Sequence, residues 1–402
     1  MTILLIYISL LTIMLVVLWR AGILLQKNYK ILSVAGISAI VVYTLNEGLR
    51  FGRGIDYNVY WDIFEQISSG WHIDKDFLFM LFTKALVNIG IPYQGQVLIM
   101  SFMFIVGTLF LLKSYKEIAS YALPLFVLFS LYHVENMVRW YLGYSFVLIG
   151  LYYLLNEKDN GGLYKYLIFS VIAFLIHYAL LPIPILFYLL SLRKTPLFRP
   201  ITTLILFFGI YFLFETKYML KLTNAVEYFS SFFSLSEGYS ANAEYWLTGG
   251  FAGIELSGEI SKAELVVLSL FVIFGYKCIK AKPDKKYIFA YNVFIIGLLM
   301  YPISLKIELM TRFTQVFFFF RAIILSVIIV YILQKKVHIQ KFIIILFAAF
   351  LIKDVGSKYF LRPFKSNPQK YLYVWNKRNQ NQYSMLNLWL DEDYKNQYKK
   401  EK

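Results

Sequence analysis

Apolar runs separated by short polar breaks fill almost the whole chain. The runs cover residues 2–19, 31–45, 97–112, 119–132, 140–155, 201–214, 265–278, 287–303, 313–333 and, shorter than the rest, 342–352. Inside a bilayer no water can satisfy a bare peptide group, so each run is read as a helix that closes its own hydrogen bonds. The pattern predicts an all-α, polytopic integral membrane protein with about ten transmembrane helices. Two stretches depart from it. Residues 77–90 are short and interrupted by Lys84, which predicts an interfacial or re-entrant helix. Residues 166–192 carry Pro182 and Pro184, and proline breaks or kinks a helix interior. That stretch is read as a broken, re-entrant helix pair with His177 near its apex.

The polar breaks supply orientation. Arg20, Lys27 and Lys30, then Lys113 and Lys116, Lys158 and Lys165, Arg193, Lys194 and Arg199, Lys277 to Lys286, and Lys335 to Lys341 recur at alternate breaks. Basic residues collect on the cytoplasmic side of a membrane. The N-terminus and the stretches 46–96 and 215–264 are therefore expected at the outer face. Residues 1–360 read as one integral membrane domain. Residues 361–402 read as a basic, aromatic tail that the count of crossings leaves outside.

Composition agrees with the pattern and removes several classes. The chain is 59% hydrophobic and only 16% charged, with a mean hydropathy of +0.60, and a soluble domain carries about a quarter charged residues. The formal charge of +16 would suggest nucleic acid in a soluble protein; here the cytoplasmic loops account for it, and no nucleic-acid partner is expected. One cysteine, Cys278, and four separated histidines give no disulfide or metal-ligand pattern, so neither metal nor cofactor is expected. Gly52-Arg53-Gly54 lacks the third glycine and the βα context of a nucleotide loop.

Four polar groups gather at the expected outer face. They are Arg50, Arg53, Asp56, Tyr57 and Tyr60; Glu135 and Arg139; His177; and Glu308 and Arg312. An arginine near the membrane core needs a partner or a function, and its planar fork suits phosphate. Several around one cavity point to a diphosphate. Each residue also has a plainer reading. Arg50 and Arg53 can snorkel to the interface. Glu135/Arg139 and Glu308/Arg312 are four apart and can form local helical ion pairs. His177 can be a hydrogen-bonded structural residue, and Asp56 a turn residue. Asp62 and Glu65 read as a solvated helical face.

The order Arg50-Phe-Gly-Arg-Gly-Ile-Asp56-Tyr57, followed by Tyr60, resembles the Arg-Tyr-x-x-Gly-x-Asp-Tyr-x-x-Tyr segment of EpsG-type membrane proteins. These are related to the Wzy-type polymerases of exopolysaccharide, capsule and O-antigen. Arg139 at a helix start, His177 after Ala-Phe-Leu-Ile, Arg312 before a Phe-rich helix and Pro363-Phe364 are similar to later family landmarks. Trp140 stands where the family usually has Gln, and Phe364 where Tyr is common. The resemblance implies a GT-C-like polymerase architecture in the bacterial cytoplasmic membrane. Its substrates would be undecaprenyl-diphosphate-linked glycans, joined without nucleotide sugars. Flippase and chain-length regulator proteins would be partners, with membrane lipids around the bundle. On this reading Arg139, Arg312, Arg53 and Arg50 hold the diphosphate, and His177 or Asp56 assists the attacking hydroxyl. Tyr57, Tyr60, Glu135 and Glu308 contact substrate. A transporter or flippase without covalent chemistry, and a lipid-linked glycan ligase, remain the competing classes.

Overall fold

The computed structural model describes residues 2–71, 76–157, 160–215, 260–281, 283–305, 308–334, 347 and 373–374. The described part is helical throughout. In chain order the helices are α1 (Thr2–Lys27), α2 (Val34–Gly48), α3 (Ile55–Ser68), α4 (Phe77–Asn88), α5 (Tyr93–Lys113), α6 (Ala119–Asn136), α7 (Val138–Asn156) and α8 (Asn160–Ile176). They continue with α9 (Pro182–Ser191), α10 (Pro200–Glu215), α11 (Lys262–Ala281), α12 (Lys285–Ser304), α13 (Glu308–Phe318) and α14 (Arg321–Gln334). Among the described residues six helical stretches are long and apolar enough to cross a membrane: Leu4–Lys27, Tyr93–Lys113, Lys116–Asn136, Val138–Asn156, Lys285–Ser304 and Met310–Gln334. Five further apolar helices are shorter, so long helices alone do not reach the expected count of about ten. The expected span at 342–352, almost all of the loop 215–264 and most of the tail lie outside the described residues.

Helix packing explains why the apolar runs sit where they do. α7 is the central helix: Tyr141, Tyr144, Val147, Leu148 and Leu151 on it are all buried. α5 and α8 lie against it. α1 packs on α2 and α6, and α12 on α13. The two ends of α7 lie at opposite ends of the bundle. At its C-terminal end Asn156 donates to Ser114 Oγ at 2.6 Å and accepts from Lys286 Nζ at 2.6 Å. That end joins three of the lysine-bearing breaks. At the other end α7 begins with the Met137 break and Arg139, beside the C-terminus of α2.

The break expected at His177 is present. α8 stops at Ile176, and His177 is extended (φ −154°, ψ 105°). A 3-10 turn at Tyr178–Leu180 then leads into α9, which has proline in its first turn, where the missing N–H costs nothing. The Tyr166 hydroxyl of α8 donates to the Pro184 carbonyl of α9 at 2.5 Å, so the chain folds back on itself. Helix α4 is short, as residues 77–90 suggested.

Two details differ from the sequence pattern. The run 313–333 lies within one stretch long enough to cross, Met310–Gln334, but a turn interrupts it. Phe319 and Phe320 form a turn that separates α13 from α14, with Phe320 N donating to Phe317 O at 3.2 Å. Neither proline nor glycine causes it. Phe319 packs on Phe126 and Tyr141, and Phe320 on Phe187 and Phe289. Gly297 of α12 allows the break to sit close, since a Cβ there would come within 2.6 Å of Phe318 N. The plainer reading of Glu135 and Arg139 as a local helical ion pair does not hold, because they lie on different helices. Met137 (φ −110°, ψ 60°) interrupts the chain between them.

Candidate functional site

Two ionic clusters lie side by side at the α7 N-terminal end. The first is built on the end of α2. Asn46 and Glu47 close that helix, and Leu49 caps it through its N–H to Leu45 O. The loop then turns on Gly52 (φ 65°) and Gly54 (φ 93°), a backbone region open to glycine. A Cβ on Gly54 would also run into the Glu135 carbonyl. The turns drive Arg50 and Arg53 inward, where they are 1% and 2% exposed. Arg50 lies 3.9 Å from the Glu47 carboxylate and donates to the Glu47 carbonyl at 2.8 Å. Arg53 lies 3.7 Å from Glu47 and 3.3 Å from Glu135, and donates to Asn46 O at 3.1 Å.

Aromatic rings complete this cluster. The Arg53 guanidinium carbon is 5.0 Å from the Tyr7 ring and 4.8 Å from the Tyr373 ring. Tyr373 also donates to Asn46 Oδ1 at 3.0 Å, and the neighbouring Val374 N donates to Leu49 O at 3.0 Å. A residue from the segment set apart as a tail is thus part of the layer. Burial lowers the Arg53 pKa, and the carboxylates of Glu135 and Glu47, with the tyrosines, more than reverse it. Arg53 stays charged, and two arginines and two glutamates meet in this layer.

The second cluster converges from three elements. Asp76 precedes α4, Arg139 is in the first turn of α7, and His177 sits at the break after α8. Arg139 Nη1 meets Asp76 Oδ2 at 2.6 Å, a charge-assisted pair at the short end of the usual range. His177 Nδ1 is 3.7 Å from the same oxygen. Asp76 Oδ1 accepts from Tyr178 N at 3.2 Å, and the Tyr178 hydroxyl accepts from Phe77 N at 3.2 Å. The two breaks are tied to each other by these bonds. Tyr60 and Phe79 present their rings to the Arg139 guanidinium at 5.8 and 5.7 Å. All three charged or titratable residues are buried.

The remaining candidates surround these two. Tyr57 donates to Gln94 Oε1 at 2.8 Å and accepts at its carbonyl from Tyr93. Burial pushes its phenol up, so it remains a donor. Its ring packs edge-on against Phe51, Trp61 and Tyr93. Gln94 also reaches back to the carbonyls of Gly48 and Arg50, which fixes α5 to the arginine loop. Asp56 is half-buried in the first turn of α3, where a carboxylate favours the helix N-terminus. Arg312 is half-buried on α13. Its neighbour Phe313 packs on Trp140 at 5.2 Å, and Trp140 packs on His177 at 5.1 Å. Glu308 is placed as the first residue of α13.

Arg139 and His177, expected together, share one carboxylate. Arg50, Arg53 and Glu135 are joined through Glu47. The sequence reading missed Glu47, Asp76, Gln94 and Tyr373. Glu47 adjoins the motif, and a count of charges around it would have shown that two buried arginines need two carboxylates. Asp76 follows Asp74 and Lys75 and looks like ordinary loop charge. Among the described residues no group of histidine, cysteine and carboxylate side chains is arranged to hold a metal ion.

Fold and site together define a multi-pass helical membrane protein with a buried ionic layer at one end. The EpsG family model matches residues 33–366, and the chain belongs to that family, which is of the Wzy-like polymerase type. No curated protein and no solved structure matches the chain.

Proposed function

We propose that the protein polymerises lipid-linked oligosaccharide repeat units at the outer face of the bacterial cytoplasmic membrane. The observation that carries this reading is the convergence of Arg139, Asp76 and His177 in a chain of the EpsG family. The donor is a growing glycan on undecaprenyl diphosphate, and the acceptor is one lipid-linked repeat unit. The acceptor hydroxyl attacks the donor's anomeric carbon. A new glycosidic C–O bond forms, and the bond to the diphosphate breaks. The leaving diphosphate takes the electron pair, and the hydroxyl proton passes to a base.

Each residue has a role in that step. The transition state is oxocarbenium-like, and negative charge grows on the leaving diphosphate. Arg139 and Arg312 meet that charge, where a preplaced cation is worth most. His177 takes the hydroxyl proton; its Nδ1 faces Asp76, which assigns that task to Nε2. Arg50 and Arg53, held by Glu47 and Glu135, keep the layer in shape and support the clamp from behind. Asp56 is the alternative base. Tyr57, Tyr60, Glu135 and Glu308 border the path of the sugars. Ten crossings, an outer-face loop at 215–264 and a GT-C-like architecture belong to the same reading, as do flippase and chain-length partners. Capsule, exopolysaccharide and O-antigen are the product classes it covers.

A flippase is the second reading, favoured by the breaks at His177 and at Phe319–Phe320, because discontinuous helices are common in transporters. Deleting the gene and locating the lipid-linked glycans separates the two. Single repeat units accumulating at the outer face support the polymerase. Accumulation at the inner face supports the flippase, and unchanged polymer contradicts both.

A further inference from the structure

Arg321 differs from the buried arginines of this bundle. Arg50, Arg53 and Arg139 each face a carboxylate. Arg321 forms no ion pair with a carboxylate of the described residues. Yet it lies near the middle of the apolar stretch Met310–Gln334. A charge at that depth is costly, and such residues line functional paths far more often than they pack passively. Its guanidinium carbon sits 4.2 Å from the Phe129 ring and 4.3 Å from the Phe318 ring. Its Nε is buried without a hydrogen-bond partner, while the residue as a whole is only half-buried.

The surroundings specify the charge and shape of what would complete it. Two phenyl faces fix the guanidinium plane but supply no counter-charge. Arg321 is also the first residue of α14, directly after the Phe319–Phe320 turn. A planar fork held by rings suits an oxyanion with several acceptor oxygens.

We propose that Arg321 is a binding position for a phosphate-class oxyanion, a phosphate or diphosphate group, separate from the Asp76–Arg139–His177 cluster. The proposal does not depend on the polymerase reading, because binding can be read without polymer formation. The test uses the full chain in lipid nanodiscs and titrates two probes, farnesyl diphosphate and inorganic pyrophosphate. Arg321→Gln should weaken diphosphate binding about tenfold or more, and Arg321→Lys, which keeps the charge but not the fork, should weaken it less. Arg139→Gln should leave the Arg321-dependent part of the binding in place. Binding of farnesyl diphosphate alone assigns the oxyanion to a lipid; equal binding of both probes assigns the site to free oxyanion as well. The unmutated protein gives a check that needs no variant: farnesyl diphosphate should protect Arg321 from phenylglyoxal, read by peptide mass spectrometry. Absence of protection, or binding unchanged by Arg321→Gln, overturns the proposal.

Discussion

The two ionic clusters use the same residue types and differ in what they leave for chemistry. Around Glu47, two arginines and two carboxylates close on themselves at 3.3 to 3.9 Å, with Tyr7 and Tyr373 sealing Arg53. Around Asp76, one carboxylate is shared between a guanidinium at 2.6 Å and an imidazole at 3.7 Å. The first cluster joins α2, α6 and a residue far along the chain, and its charged groups face one another. The second joins three breaks in helical structure and contains an imidazole. On the proposed function, the stretch richest in arginine is mainly a keystone and the sparser cluster is where the chemistry is placed.

Mutations can break that comparison. The largest expected effect is on activity: Arg139→Ala should lower polymer formation by about a hundredfold to a thousandfold, with normal membrane levels of protein, measured on lipid-linked glycans from complemented cells. The largest effect on stability should come from Glu47→Ala. Removing one partner of a buried pair costs about 3–5 kcal/mol, and thermal unfolding of the purified protein should show it. If Glu47→Ala were stable and inactive, the assignment of roles to the two clusters would be reversed. Gly54→Ala should cost about 1–3 kcal/mol for its backbone conformation alone, with further loss from the clash at the Glu135 carbonyl. Tyr373→Phe sharpens the comparison at its smallest scale. It keeps the ring over Arg53 and loses only the bond to Asn46, worth about 1 kcal/mol, and polymer yield should be unchanged.

Those effects also mark what could be read in the sequence. The helical runs were legible because hydrophobic stretches in lipid have few alternatives to a helix. The break at His177 was legible because Pro182 and Pro184 announce it. The break between α13 and α14 was not, because aromatic packing from four other helices makes it and no local residue type signals it. Arg139 and His177 stood out as polar residues beside apolar runs. Asp76, which joins them, did not, since its role depends on elements that meet only in three dimensions. Tyr373 shows the same limit: its partner Asn46 is 327 positions away. Arg321 lay inside an apolar run and was passed over beside the more visible Arg312.

The central claim is that the Asp76–Arg139–His177 cluster carries polymer formation. The most direct measurement is the length distribution of lipid-linked glycans in cells whose only copy of the gene carries Arg139→Ala, with the protein quantified in the membrane. The account predicts single repeat units at the outer face and no ladder above them. A full-length ladder at a normal level of the mutant protein would contradict it.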